Sequence, residues 1–206
     1  MSLTQLSVSE TKICECYLSS INNETFSNLT GLTHLYFAGC HVQNITPGAL
    51  QPLNSTLEEL DMSWNQNLIF KGMNHALQGL ENSTALQNMF VNYLHIRYER
   101  SVELKKKDMR YISTMNNLTN LFMDLNKIDV LDPDILILQM FPPNLRRLTL
   151  AGNRLNYGKY TNYLGKPENL TCLDISRQFL SYDPFQFQDQ NLQVISRLKT
   201  MHINQI

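Results

Sequence analysis

The sequence predicts an α/β solenoid: a horseshoe with a parallel β-sheet on its concave side and irregular loops and short helices on its convex side. Three observations carry this. A phrase of leucines recurs along the whole chain, its copies keep a nearly constant spacing, and every proline falls between the strand positions.

The clearest copy, Leu145-Arg-Arg-Leu148-Thr-Leu150-Ala-Gly-Asn153-Arg-Leu155, reads L-x-x-L-x-L-x-x-N-x-L without a mismatch. Related copies begin at Leu3, Leu32, Leu57, Leu86, Leu118, Leu170 and Leu198, so successive starts are 25 to 32 residues apart. A period in the twenties carrying this phrase is the leucine-rich-repeat signature. It implies one leucine-rich-repeat domain over 1–206, with about eight repeats and no terminal caps.

Each part of the phrase has a physical reading. Alternation in L-x-x-L-x-L sends the leucines to one side of a short strand and the x residues to the other. Strands of successive repeats then pair in parallel, and their leucines stack into one core. The Asn position lies where the chain leaves the strand, so an inward amide there can satisfy backbone groups of adjacent coils. Asn65, Asn126 and Asn153 fill it, whereas Thr11, Cys40, Leu94 and Gln178 predict an interrupted ladder. The returning arcs carry Ile21, Phe26 and Leu29, then Ile45, Leu50 and Leu53, then Leu131, Leu136 and Phe141. Pro47, Pro52, Pro133, Pro142, Pro143, Pro167 and Pro184 all lie in arcs, as a residue without an N–H must beside a ladder.

Composition narrows the class. With 17 Lys plus Arg against 18 Asp plus Glu, the net charge is −1, and no basic field for nucleic acid is evident. The chain is rich in Asn (22), Ser (14) and Thr (14), and has no uncharged apolar run long enough to span a membrane. Residues 1–10 lack the basic and apolar regions of a signal peptide. Seven Asn-x-Ser/Thr sequons, at Asn23, Asn28, Asn44, Asn54, Asn82, Asn117 and Asn169, all lie outside the core strands, where a glycan can be carried. Asn-Leu-Thr at 28, 117 and 169 also reads as repeat phrasing. Among the cysteines, Cys40 takes a ladder position and is either a free buried thiol or the disulfide partner of Cys14 or Cys16. Cys172 takes an outward strand position.

The outward positions of the sheet form a broad rigid surface. The fifth residues of the phrases are Ser7, Tyr36, Asp61, Phe90, Phe122, Thr149, Asp174 and His202. The eighth are Glu10, Gly39, Trp64, Tyr93, Leu125, Gly152, Arg177 and Gln205. Tyr36, Trp64, Phe90, Tyr93, Phe122 and Leu125 therefore gather on repeats two to five, and an exposed cluster of this kind marks an interaction site. Glu58, Glu59 and Asp61 flank it on one side; Arg146, Arg147, Arg177 and Lys199 lie on the other, which suits an oriented partner. The longest repeat carries Arg97, Arg100, Lys105, Lys106, Lys107 and Arg110, a solvated convex face in the simpler reading and a polyanion contact in the bolder one. No nucleophile elbow, zinc-binding helix, phosphate loop or dinucleotide fingerprint is present, so neither catalysis, metal nor cofactor is expected.

The phrases Leu57-Glu-Glu-Leu-Asp-Met-Ser-Trp-Asn65, Leu68-Ile-Phe-Lys-Gly72 and Asn169-Leu-Thr-Cys-Leu-Asp-Ile-Ser176 resemble the wording of Toll-like receptor ectodomains. That resemblance implies an innate immune recognition module, an extracellular or cell-surface glycoprotein that binds a microbial ligand or co-receptor protein. A homodimer is a further arrangement it allows, and the parent protein would be membrane-anchored outside this stretch. Without cysteine-rich caps, the chain resembles an internal portion or a truncated relative of such a receptor. An adhesion or matrix leucine-rich protein that binds an endogenous protein is the alternative, followed by a cytosolic leucine-rich scaffold.

Overall fold

A computed structural model describes residues 3–8, 16, 18–96, 101–137, 140–155, 164, 167–179 and 198–202. Among them the strands are β1 (Gln5–Ser7), β2 (Ser20–Ile21), β3 (His34–Tyr36), β4 (Asn44–Ile45), β5 (Glu59–Asp61), β6 (Asn88–Phe90), β7 (Val102–Leu104), β8 (Asn120–Phe122), β9 (Ile128–Leu131), β10 (Arg147–Thr149), β11 (Cys172–Asp174) and β12 (Thr200–His202). The helices are α1 (Ile69–Gln78), α2 (Lys106–Met109) and α3 (Pro133–Ile137). No proline falls within a described strand. No described helix is long and apolar enough to cross a membrane.

One strand from each predicted repeat enters a single eight-stranded sheet in the order β1-β3-β5-β6-β8-β10-β11-β12. Every neighbouring pair is parallel, and the register joins the fifth residues of the phrases into one unbroken row from Ser7 to His202. The fourth-position residues, Leu35, Leu60, Met89, Leu121, Leu148 and Leu173, are sealed from solvent behind that sheet. The convex side carries two further parallel ladders, β2 with β4 and β7 with β9, that repeat phrasing alone does not foretell. It also holds the ten-residue α1, whose Phe70, Met73, Ala76 and Leu77 recur at helical spacing and are buried.

Side-chain amides stitch the coils together. Asn153 Oδ1 accepts the N–H groups of Asn126 (3.0 Å) and Ile128 (3.1 Å), while its Nδ2 donates to Met123 O (3.0 Å) and Leu150 O (2.8 Å). Asn65 does the same between its own coil and the one before, with Val42 N–H (2.9 Å) and Phe37 O (3.0 Å). Asn126 takes Leu94 N–H at 2.8 Å and donates to Val91 O at 2.8 Å.

The expected break at Gln178 does not occur. Its longer side chain reaches the equivalent atoms, accepting Leu155 N–H at 2.9 Å and donating to Leu150 O at 2.7 Å. Leu94 is a true interruption, buried and apolar. Thr11 lies outside the described residues.

Cys40 is bonded to Cys16 in the structure, closing a stretch of 24 residues, and Cys172 is a half-buried free thiol. Cys14 lies outside the described residues.

Replacing Asn153 by Ala strands three buried backbone groups, the N–H of Asn126 and of Ile128 and the carbonyl of Met123, whereas Leu150 O keeps Gln178. At about 1–3 kcal/mol for an orphaned group, with partial relaxation, urea unfolding should register a loss of at least ~3 kcal/mol. Gln178→Asn, which merely shortens the reach, should cost about 1 kcal/mol on the same scale.

Candidate functional site

The sheet places Phe90 and Phe122 side by side in the fifth-position row. Their rings stack with centroids 4.4 Å apart and planes within 6°. Beside them, in the eighth-position row, Trp64 and Tyr93 meet at 4.7 Å with a 57° tilt. Trp64 remains 50% exposed, although indole is among the residues most favoured at interfaces. Leu125 continues this row and lies over Gly152, where an added Cβ would sit 2.5 Å from Leu125 Cδ2. The Lys127 ammonium stands 6.0 Å from the centre of the Tyr93 ring.

The eighth position has a backbone peculiarity. Gly39, Trp64, Tyr93, Leu125, Gly152 and Arg177 all adopt left-handed φ, between 53° and 70°. The ladder imposes it. The eighth-position N–H must still bond the next coil, as Trp64 N–H does to Asn92 O (2.8 Å) and Tyr93 N–H to Asp124 O (2.9 Å). The chain then has to turn sharply so that the ninth residue points inward. Glycine adopts this conformation freely, whereas an L-residue loses roughly 1–2 kcal/mol. Gly39 and Gly152 were the available signal in the sequence, and they reveal that Trp64, Tyr93 and Leu125 occupy a position that does not suit them.

Tyr36 departs from the predicted cluster. Asp61 lies between it and Phe90 in the row, and its hydroxyl donates to Glu59 Oε1 at 2.8 Å. Burial, reinforced by the Glu59 carboxylate, pushes the phenol up to about 12. Glu59 Oε2 also accepts the Asn88 amide at 3.0 Å, and Asn88 Oδ1 accepts Asn120 at 2.6 Å. A polar chain therefore runs beside the aromatic pairs. Arg146 and Arg147 sit at exposed positions on and beside β10, past the aromatic cluster. Asp61 and Asp124 border the rings; each caps a backbone N–H, of Ser63 (2.9 Å) and Ala151 (2.8 Å), yet burial dominates and raises both carboxyl groups.

No protein-family model matches the chain. In sequence it is 25% identical over 170 residues to Toll-like receptor 4 of Pinctada imbricata, an alignment covering 82% of this chain and 18% of that protein. In structure it is similar to human 5T4 (Wnt-activated inhibitory factor 1, trophoblast glycoprotein), with a TM-score of 0.67, 20% identity and coverage of 98% of this chain and 74% of that one. This is a leucine-rich-repeat solenoid. Toll-like receptor 13, solved in complex with the single-stranded RNA ssRNA13, superposes on it with a TM-score of 0.58 at 22% identity, over 91% of this chain and 28% of the receptor. The chain thus spans under a fifth of the length of the curated relatives it matches.

Within the solenoid, the sequons divide into two sets. Asn54, Asn117 and Asn169 donate their side-chain amides to carbonyls of adjacent coils, at Glu81, Thr84 and Pro143. The threonines of the last two do likewise: Thr119 to Gln87 O and Thr171 to Arg146 O, each at 3.2 Å. Asn23, Asn28, Asn44 and Asn82 are exposed. Among the described residues, no group of three or more His, Cys, Asp or Glu is placed to hold a metal ion.

Asp61→Asn keeps the acceptor for Ser63 and removes the charge that burial penalises. Because the folded pKa of Asp61 lies above the unfolded one, the folded parent binds its proton first and recovers that penalty as pH falls through the folded pKa. The variant should therefore be the more stable near pH 7, with an advantage that shrinks towards pH 4. Thermal melts across that range check it; an advantage independent of pH would contradict the burial account.

Proposed function

We propose that this stretch is a recognition module of an innate immune receptor ectodomain, one that binds a microbial ligand or co-receptor protein through its concave face without chemistry. The observation that carries this reading is the paired aromatics, Trp64 with Tyr93 and Phe90 with Phe122, on outward rows of the sheet. Large residues held in left-handed backbone are kept where the surface they form has a use, and such outliers cluster at ligand sites. The acidic groups near Asp61 and the exposed Arg146 and Arg147 orient the partner along the sheet. The similarity to Toll-like receptor 4 supports the immune assignment.

An extracellular setting goes with this function. The Cys16–Cys40 bond suits an oxidising compartment, and the exposed sequons suit a glycoprotein. A second copy of the chain is an alternative occupant of the same face.

Purified chain immobilised on beads should capture components of bacterial cell-wall or outer-membrane fractions. Trp64→Ala or Phe90→Ala should each weaken capture at least tenfold, the loss typical of an interface anchor, while circular dichroism stays unchanged. Binding undiminished in both variants would move the site off this face.

Glycan occupancy provides a separate check. In chain secreted from eukaryotic cells, peptide mapping should find sugars at Asn23, Asn28, Asn44 and Asn82. At Asn54, Asn117 and Asn169 the nitrogen that would carry the sugar already holds a neighbouring coil, so occupancy should be low. An unglycosylated chain would count against the ectodomain reading.

A further inference from the structure

The convex side holds a cavity of about 660 Å³ between α1 and the segment formed by β7 and α2. Its volume is within the range of small-molecule sites. The lining is unusual for a solenoid exterior: Phe70, Val102 and Tyr111 contribute apolar surface, and Lys71, Lys105, Lys107 and Arg110 stand around them.

The two acidic residues of the lining are already engaged. Glu103 pairs with Lys105 at 3.4 Å. Asp108 is buried, accepting the Lys105 N–H at 3.0 Å and the Asn74 amide at 3.0 Å. Lys106 faces elsewhere, pairing with Asp134 at 3.2 Å. Among the described residues, no ion pair holds Lys71, Lys107 or Arg110. Arg110 instead stacks over Tyr111, with its guanidinium carbon 5.1 Å from the ring centre.

Acceptors lie among these cations. The Asp108 carboxylate can only accept, so it fixes the Asn74 amide with its nitrogen towards Asp108. That leaves Asn74 Oδ1 buried without a hydrogen-bond partner, a state native structures rarely leave unused. His75 bonds the Ile45 carbonyl through Nδ1 at 2.9 Å, so Nδ1 carries a proton and the neutral form of the ring offers Nε2 as an acceptor. At the rim, Ile69 has φ 48°, a left-handed conformation that β-branched residues avoid. Helix α1 begins there with no side-chain cap, so its positive end adds to the field of the cations.

We infer that this cavity binds a saccharide bearing a sulfate or phosphate ester, with the anionic group held by Lys71, Lys107 and Arg110, hydroxyls by Asn74 and His75, and the sugar ring against Tyr111. A bare anion would use the cations and leave both acceptors and the aromatic surface idle. A neutral sugar would leave the charges uncompensated. The site is independent of the concave face.

The test is calorimetric titration of the full chain with a sulfated heparin disaccharide, glucose 6-phosphate, the matching neutral sugars and inorganic sulfate. At least one ester should bind at least tenfold more tightly than its neutral sugar and than inorganic sulfate; which one does identifies the ester. Lys71→Ala with Arg110→Ala, both exposed and outside the core, should weaken that binding at least tenfold, and Trp64→Ala should leave it unchanged. Equal binding of ester and inorganic sulfate would reduce the cavity to a simple anion contact and overturn the proposal. Binding unaffected by the double substitution, or absent for both esters, would overturn it as well. Loss of microbial capture on Trp64→Ala with saccharide binding intact separates this site from the concave one.

Discussion

Everything in this chain depends on the requirement that each coil satisfy the backbone of the next. A strand of three residues has almost no stability of its own, and a coil of about thirty residues cannot enclose its leucines. Stacking solves both problems together, provided that the register never slips. A slip of one residue would turn the leucines outward. The amides at the ninth position guard against this. Asn65, Asn126, Asn153 and Gln178 each reach a carbonyl of the sixth residue and an N–H of the preceding coil, so a displaced coil would break several buried hydrogen bonds at once. A side-chain amide suits the task because it offers donor and acceptor at a fixed separation.

The same requirement shapes the candidate face. Once the eighth N–H is committed to the adjacent coil and the ninth side chain to the interior, the eighth residue has one conformation open to it, and it is left-handed. Two coils meet this with Gly39 and Gly152. The coils between them hold Trp64, Tyr93 and Leu125 at a conformational cost of roughly 1–2 kcal/mol each. Ring contact between Trp64 and Tyr93 returns about 0.5–1.5 kcal/mol, which does not cover both residues. Stability alone would favour glycine there, which is what makes the aromatic surface a candidate for binding.

How much of this could be read in the sequence follows from what the repeat phrase specifies. The rows from Ser7 to His202 and from Gly39 to Arg177 were legible, because a period-two strand paired in parallel leaves no other register. The pairing of Phe90 with Phe122 followed from those rows. The withdrawal of Tyr36 into a hydrogen bond with Glu59 did not, since a hydroxyl chooses its partner by rotamer rather than by row. Gln178 reads as a gap in the ladder because one methylene of extra reach is invisible to a pattern that asks for asparagine. The convex ladders and α1 were largely illegible: the arcs vary in length and carry no shared phrase.

That illegibility has a cause that also locates the cavity. Spacing on the sheet is fixed at about 4.8 Å per coil, so a longer repeat cannot place its extra residues on the concave side. They must go to the arc. The repeats beginning at Leu57 and Leu86 run 29 and 32 residues, and theirs are the arcs that contain α1, β7 and α2. Two bulky arcs side by side on a curved scaffold cannot pack as closely as two thin ones, and a cleft lined by whatever those arcs carry is the geometrical result. Here they carry lysines, an arginine and an amide with an idle oxygen. The same two coils present Trp64 and Tyr93 on the opposite side, so the near-neutral chain sets an aromatic surface against a basic one across a single layer of leucines. Charged groups on one side and apolar rings on the other would suit partners of different chemistry, which is why the two proposed sites can be told apart by single substitutions.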